Sequence, residues 1–104
     1  MLMMTGYAYA GDYTDTQIVN AIYQAEGGNK ATLLYGIRSV PYDTPQEARR
    51  ICFNSVRNNR ARWVKAGRPE PFIVFMGRRY CPPKAHPKNS HWVKNVRWFL
   101  QKGD

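Results

Sequence analysis

The spacing of apolar and polar residues near the start of the chain predicts an amphipathic helix. Its apolar residues recur every three or four positions, so they share one face of the helix. These residues are Ile18, Val19, Ile22 and Ala25. The helix is predicted to start near Thr14 or Asp15, both good N-cap residue types, and to stop at Gly27 and Gly28.

Glu26 interrupts the apolar face of this helix. It follows Ile22 by four positions and Ile18 by eight, so its carboxylate lies on the side that should pack on the core. It also lies at the C-terminal end of the helix, where the macrodipole disfavours negative charge. Both effects favour the protonated carboxyl group and should raise the pKa of Glu26. A carboxylate that breaks two local rules is a candidate functional residue.

The segment after this helix has the composition of a strand. Residues 29–40 contain several strand-forming side chains, and Gly36 interrupts them. The strand formers are Leu34, Tyr35, Ile37 and Val40. Pro41 and Pro45 then bracket a turn. The pattern predicts a short β-hairpin or extended segment between the first and second helices.

The second predicted helix has the clearest start signal in the chain. Thr44 is a good N-cap, Pro45 suits the first helical position, and Glu47 completes a capping box. The inward face at helical spacing comprises Ala48, Ile51, Cys52, Ser55, Val56, Asn59 and Trp63. The outer face is basic, with Arg49, Arg50, Arg57, Arg60, Arg62 and Lys65. Gly67 is the predicted stop.

Two further helices complete the pattern. Residues 72–80 are apolar nearly all round for their first five positions, which predicts a central, buried helix that ends at Cys81. Residues 91–100 form the last predicted helix, with Ser90 as its N-cap. Its inward side chains are Trp92, Val96, Phe99 and Leu100. The predicted fold class is therefore mainly α, with about four helices and one short β-hairpin after the first helix.

Length and composition place this pattern in one folded domain. A chain of 104 residues forms one domain, and its 43% apolar and 13% aromatic content is typical of a globular protein. We expect residues 1–14 to be irregular and residues 15–104 to form the domain. No stretch of the sequence approaches the ~20 apolar residues needed to span a bilayer.

The net charge of +9, from 16 Lys and Arg against 7 Asp and Glu, indicates an anionic partner. Nucleic acid, anionic lipid and the acidic polymers of a bacterial envelope all fit this charge. The basic face of the second helix is either a solvated surface or a surface for adhesion to an anionic envelope. Nucleic-acid binding would require stacking aromatics among exposed basic residues, whereas most aromatics here fall at core positions. We therefore expect no nucleic-acid partner.

The N-terminus and the two cysteines bear on localisation. The first ten residues are uncharged, and Ala8, Tyr9 and Ala10 have the small-x-small pattern of a signal-peptidase site. This stretch is either the end of an export signal or an ordinary irregular terminus. Cys52 and Cys81 are compatible with one disulfide, which export would favour, or with two small buried thiols.

The histidines do not indicate a metal centre. His86 and His91 lie five positions apart, with Cys81 nearby in the sequence. This spacing differs from the common zinc-binding patterns, and His91 is expected in the first turn of the last helix. We predict no metal site and no cofactor.

Four segments of the chain share an order and spacing with one enzyme superfamily. Residues 25–28, Ala-Glu-Gly-Gly, end the first helix, and residues 34–39, Leu-Tyr-Gly-Ile-Arg-Ser, follow shortly after. Residues 79–81, Arg-Tyr-Cys, end the third helix, and residues 92–96, Trp-Val-Lys-Asn-Val, lie in the last. This set resembles the lysozyme-like superfamily, and most closely the soluble lytic transglycosylases and small phage or bacterial muramidases. Their corresponding motifs are of the types Glu-Ser-Gly-Gly, Tyr-Gly-Leu-Met-Gln, Ala-Tyr-Asn and Tyr-Val-x-x-Val.

The resemblance implies an α+β lysozyme-like domain that cleaves the β-1,4 bond between N-acetylmuramic acid and N-acetylglucosamine in peptidoglycan. Glu26 would be the catalytic acid. The implied substrate-binding residues are Tyr35, Gly36, Ile37, Ser39 and Tyr80. For both tyrosines, core packing is the alternative role. Ser39 replaces the usual Gln of the family, and Cys81 and Pro82 replace its Asn-Ala-Gly, so the substrate contacts would differ from those of the family.

The resemblance also implies where the protein acts and with what. We expect a monomer that acts in the periplasm or after secretion, at the bacterial cell wall. Its expected partners are the glycan strands of peptidoglycan and, in addition, anionic polymers of the cell envelope. The alternatives of another class are a basic helical nucleic-acid-binding module and a wall-binding protein that lacks catalysis.

The mechanism depends on the number of carboxylates near Glu26. A glycoside hydrolase commonly needs a second carboxylate, and residues 27–36 contain none. In lytic transglycosylases a single Glu suffices, because the 6-hydroxyl of muramic acid attacks and a 1,6-anhydro product forms. The missing carboxylate favours this mechanism. The alternative is a hydrolytic muramidase that uses Asp43. If Asp43 has no catalytic role, it is a turn former, and Glu47 is explained by capping of the second helix.

Overall fold

The computed structural model of the chain describes residues 13–38, 40–81 and 89–103. Four helices account for most of them: α1 (Asp15–Ala25), α2 (Pro45–Lys65), α3 (Phe72–Tyr80) and α4 (Asn89–Lys102). Two short 3₁₀ turns, at Gly28–Lys30 and Leu34–Gly36, connect α1 to α2. The mainly α prediction and the number of helices are confirmed. The predicted irregular N-terminus lies outside the described residues, except for Tyr13 and Thr14.

The predicted β-hairpin is wrong, because the described part of the chain contains no strand. Tyr35 and Gly36 both adopt left-handed backbone conformations, with φ of 59° and 68°, so the chain coils where a strand would extend. The amide of Gly36 donates to the carbonyl of Leu33 at 2.8 Å, and that of Ile37 donates to Leu34 at 3.2 Å. These local bonds replace the ladder that a hairpin would need.

The start of α1 follows from side-chain capping. The hydroxyl of Thr14 accepts from the amide of Gln17 at 3.1 Å, and the Gln17 side chain accepts from the amide of Thr14 at 2.8 Å. This reciprocal pair satisfies two amides that the first turn leaves without helical partners. At the other end, Glu26 is the C-cap and Gly27 turns the chain with φ of 108°. The predicted bounds of this helix are confirmed.

The start of α2 uses the three residues that the sequence predicts. The hydroxyl of Thr44 accepts from the amide of Glu47 at 3.1 Å, and Pro45 occupies the first helical position. The Glu47 carboxylate accepts at 2.6 Å from the amide of Asp43, one residue before the N-cap. The helix ends before Gly67, which has φ of 88°.

The core lies where the four helices meet. Helix α1 packs against α2 and α4, and α3 packs against the same two helices. Side chains with no exposed surface come from every helix: Ile18, Val19, Ile22, Ala48, Cys52, Val56, Phe72, Ile73, Met76 and Val96. Burial of these apolar side chains is the main stabilising contribution to the fold. No helix within the described residues has the length and apolar content required to cross a membrane.

Arg60 departs from the predicted solvated outer face of α2. Its Nε atom donates to the carboxylate of Asp15 at 2.8 Å, and its Nη2 atom donates to the carbonyl of Tyr13 at 2.9 Å. Its guanidinium lies 4.9 Å from the ring centre of Phe72. Arg60 therefore ties the start of α1 to α2 and α3. The outer-face prediction holds for the exposed Arg50, Arg57, Arg62 and Lys65.

Helices α3 and α4 cross closely at Gly77. A Cβ atom at this position would lie 3.1 Å from side-chain atoms of Trp92 and Val93, closer than ordinary van der Waals contact. The small residue lets the two helices approach and sets the position of the Trp92 indole.

Helix α4 begins at Asn89, so Ser90 lies inside the helix and the prediction that it is the N-cap is wrong. Its predicted inward residues Trp92, Val96 and Leu100 are buried, and Phe99 is half-buried.

Candidate active site

Glu26 projects its carboxylate into a partly enclosed setting at the C-terminal end of α1. Its side chain is half-buried. The indole Nε1 of Trp92, near the start of α4, donates a hydrogen bond to Oε2 of Glu26 at 2.9 Å. This contact spans most of the chain length, so it forms only in the folded state. The sequence places the carboxylate on the core-facing side of α1, and the structure agrees.

Gly36 is pressed against the same carboxylate. A Cβ atom at position 36 would lie 2.5 Å from Cδ of Glu26 and 2.6 Å and 2.7 Å from its two oxygens. No side chain fits there without a shift, and the φ of 68° also favours glycine. The sequence suggests two roles for Gly36: a substrate-binding position where the missing side chain lets a sugar approach the backbone, or a plain turn glycine. The structure shows that the group in close approach is the carboxyl group itself.

Tyr80 holds the turn that presents Gly36 to Glu26. Its hydroxyl, at the end of α3, donates to the backbone carbonyl of Tyr35 and lies 3.8 Å from Sγ of Cys52. Tyr35 is a non-glycine residue with positive φ, a conformation that costs of the order of 1 kcal/mol or more and persists only where its surroundings enforce it. The hydrogen bond from Tyr80 is one such enforcing contact.

The side chains predicted to bind substrate have different surroundings. Tyr35 is only 5% exposed, its ring lies 5.1 Å from that of Tyr23, and its hydroxyl accepts from Arg49 at 3.4 Å. Ile37 is buried at 7% exposure. Both side chains therefore belong to the core, and only their backbone lies along the turn. Tyr80 is half-buried, and its ring lies 5.3 Å from that of Trp92. The predicted contact at Ser39 lies outside the described residues.

The thiols and the phenol around Glu26 stay protonated at neutral pH. Burial raises the pKa of the Cys52 thiol to about 12, against lowering contributions from its hydrogen bond to Tyr80 and from Arg49. Burial also raises the pKa of Tyr80 well above its usual value, and raises that of Cys81. The negative charge of Glu26 adds to all three shifts, which places these groups within its electrostatic reach. Neither thiol is therefore an activated nucleophile.

Cys52 and Cys81 are not joined by a disulfide. The disulfide interpretation of the two cysteines is not supported, and the alternative of two thiols describes the structure. Cys52 is fully buried in α2, whereas Cys81 is half-buried at the end of α3. The two cysteines lie near the Glu26 carboxylate, on different helices that the core packing already holds together.

Most other carboxylates in the described residues have structural partners. Asp15 pairs with Arg60 at 2.8 Å, and Glu70 pairs with Arg78 at 2.7 Å. Glu47 accepts from the amide of Asp43, one residue before Thr44, the N-cap residue whose amide a capping box would use. Asp43 itself is exposed in the turn before α2. Glu26 is therefore the carboxylate with the strongest case for a chemical role.

No group of three or more His, Cys, Asp or Glu side chains capable of holding a metal ion occurs in the described ranges. His86 lies outside those ranges, and His91 is exposed in the first turn of α4, as predicted. Among the surface grooves lined by described residues, one lies between α1 and the end of α4 and another along the outside of α4. Glu26 lines neither of them.

Sequence reasoning missed the role of Trp92 as a hydrogen-bond donor to Glu26. The available signal was its place on the inward face of the last predicted helix. An indole N–H in the core requires an acceptor, and a half-buried carboxylate is a suitable one.

No family model matches the chain, and neither a curated protein nor a solved structure shows significant similarity to it.

Proposed function

We propose that the chain cleaves the β-1,4 glycosidic bond between N-acetylmuramic acid and N-acetylglucosamine in peptidoglycan, with Glu26 as the proton donor. The observation that supports this most is the setting of its carboxyl group. It is half-buried at a helix C-terminus, oriented by the Trp92 indole and in contact with the Gly36 backbone. A general acid must be both positioned and shielded in this way to deliver a proton near neutral pH.

The proposed mechanism is that of a lytic transglycosylase. The Glu26 carboxyl donates its proton to the glycosidic oxygen as the bond from that oxygen to the anomeric carbon of muramic acid breaks. The 6-hydroxyl of the same muramic acid attacks that carbon, and the Glu26 carboxylate accepts the hydroxyl proton. The products are a 1,6-anhydromuramic end and a free 4-hydroxyl on N-acetylglucosamine. No water is consumed, so no second carboxylate has to activate one.

Two observations support a single-acid mechanism. Residues 27–36 contain no acidic residue, so the turn against Glu26 has no carboxylate of its own. Glu47 is engaged in capping α2, and Asp15 and Glu70 are in ion pairs. A hydrolytic muramidase that uses Asp43 as its base is the alternative on the same bond.

The proposed place of action is the bacterial cell wall, in the periplasm or outside the cell, and the protein acts there as a monomer.

The test is digestion of purified peptidoglycan sacculi by the wild type and by Glu26→Gln. Wild type is expected to lower the turbidity of the suspension, and Glu26→Gln to lose about 100-fold or more of this activity because the amide is too weak an acid to protonate the glycosidic oxygen. The matched control is Glu70→Gln, which makes the same chemical change at an ion-paired carboxylate on the loop before α3. Equal clearing by wild type and Glu26→Gln would overturn the proposal.

A further inference from the structure

The outer face of α4 presents an exposed tryptophan between two lysines. Trp98 is 54% exposed, the highest value among the large hydrophobic side chains of the described residues. Lys94 precedes it by one helical turn and Lys102 follows it by one turn, so the three side chains form a row. The Nζ atom of Lys102 lies 4.8 Å from the centre of the Trp98 ring. We call this surface, together with Arg97, the α4 outer face.

This face points away from the candidate active site. Trp92 reaches Glu26 from the inward side of α4, and Trp98 follows it by six residues, which is about 240° around the helix axis. Lys94 lies about 200° from Trp92 by the same geometry. A ligand on the α4 outer face therefore cannot occupy the setting of Glu26. The α4 outer face is therefore separate from the candidate active site.

The α4 outer face has the charge and shape for an extended anionic ligand. Helix α4 contains no acidic residue, and the row from Lys94 to Lys102 is about 12 Å long. Alongside it runs a groove of about 450 Å³, within the range of ~300–1,000 Å³ typical of ligand sites. The groove is lined by Ser90, Val93, Lys94, Arg97, Trp98 and Gln101.

We propose that the α4 outer face binds an uncleaved peptidoglycan strand and anchors the protein to its substrate, an inference that rests on the proposed function. The ring of Trp98 stacks on a sugar, whose C–H face is apolar. Lys94, Arg97 and Lys102 pair with the carboxylates of the stem peptides, which make the polymer polyanionic. A row that alternates cation, aromatic and cation matches a strand that alternates sugar faces and charged peptides.

A bilayer fits this surface less well than a glycan strand does. The exposed part of the α4 outer face contains one large aromatic side chain, Trp98. Interfacial helices instead bury a broad apolar face in the lipid, and the apolar face of α4 is occupied by the protein core. A single-stranded nucleic acid would offer several bases for stacking, whereas this face offers one aromatic platform.

The experiment measures binding to sacculi without cleavage. All proteins carry Glu26→Gln, and the bound fraction is measured by sedimentation with purified sacculi. Trp98→Ala is expected to weaken binding about tenfold, as is the charge reversal Lys94→Glu with Arg97→Glu. The matched control is the reversal Arg57→Glu with Arg62→Glu, which changes net charge equally on the exposed side of α2 and is expected to retain most of the binding.

The outcomes separate this inference from the proposed function. If the α4 variants and the α2 control bind sacculi equally well, the anchoring surface is wrong even where the wild type cleaves peptidoglycan. If sacculi binding depends on Trp98 but the wild type does not cleave, the anchor stands and the catalytic proposal fails. Tighter binding of a 20-nucleotide single strand, or of anionic phosphatidylglycerol vesicles, through the same residues would overturn the choice of partner.

Discussion

The contact between Gly36 and Glu26 is the tightest feature of the candidate site. The Glu26 carboxyl group occupies the space that a Cβ atom at position 36 would need. Trp92 holds the same carboxyl group from another direction. A carboxylate fixed by packing on one side and by a hydrogen bond on another has few rotamers available, which is a requirement for proton transfer at a defined point.

Gly36→Ala is predicted to destabilise the protein more than Gly67→Ala does. Both glycines have positive φ, so each substitution includes a backbone cost of about 1 kcal/mol. Position 67 has open space for a Cβ atom, whereas a Cβ atom at position 36 displaces the Glu26 carboxyl group and breaks its hydrogen bond from Trp92, which adds about 1 kcal/mol. Urea unfolding measures the free energy of unfolding of each variant and of the wild type. Equal losses for the two variants would contradict the contact between Gly36 and Glu26.

The buried thiol of Cys52 is predicted to resist alkylation in the folded protein. Because folding raises its pKa from 9.0 to about 12, almost no thiolate forms at pH 8. The same shift stabilises the fold fully below pH 9 and is lost as the pH rises toward 12, since the unfolded thiol ionises first. Mass spectrometry after iodoacetamide treatment measures the rate of Cys52 alkylation, with urea-unfolded protein as the reference. Modification of native Cys52 at the unfolded rate would refute this account.

At the scale of elements, local signals determine the helices and distant contacts determine the connection between α1 and α2. Thr14, Thr44 and Pro45 mark the helix starts within a few residues, so the sequence predicts those bounds well. The turn at 33–37 depends on Tyr80, which lies 45 positions from its partner carbonyl. Strand propensity indicated a hairpin because it takes no account of such a contact.

Tyr80→Phe is predicted to loosen the turn at 33–37 selectively. The substitution removes the hydroxyl that donates to the carbonyl of Tyr35 and keeps the ring that packs near Trp92. The amides of Gly36 and Ile37 should then exchange hydrogen faster, because their bonds to Leu33 and Leu34 open more often. Hydrogen exchange measured by NMR follows each amide. The interior of α1 serves as the control, and unchanged exchange at positions 36 and 37 would count against the role of Tyr80.

The candidate site could be predicted in position but not in detail. The helical spacing of Ile18, Ile22 and Glu26 placed the carboxylate on the inward face, and the structure agrees. The same spacing could not reveal that Trp92 donates to it, because that pairing depends on the crossing of α3 and α4 at Gly77. Burial of the Tyr35 side chain likewise follows from the coiled turn, which the composition did not indicate.

At the scale of the whole molecule, α2 and α4 together hold nine of the 16 Lys and Arg residues. The outer face of α2 is basic and lacks an exposed aromatic ring, whereas the α4 outer face combines cations with Trp98. Helix α1 and helix α3 lie between α2 and α4 in the packing. In the anchoring proposal, charge attracts the protein to a polyanion, and the exposed ring on α4 adds selectivity for the glycan strand.

The central claim is that Glu26 breaks the glycosidic bond by itself, and mass spectrometry of the soluble fragments from digested sacculi tests it most directly. Wild type is predicted to release muropeptides with 1,6-anhydromuramic ends, each lighter by one water molecule than the hydrolysis product. Glu26→Gln should release none, and Asp43→Asn should give the wild-type products. If the wild type instead releases fragments with reducing ends, and Asp43→Asn no longer releases them, the mechanism is hydrolysis and not transglycosylation. Identical fragments from wild type and Glu26→Gln would contradict the central claim.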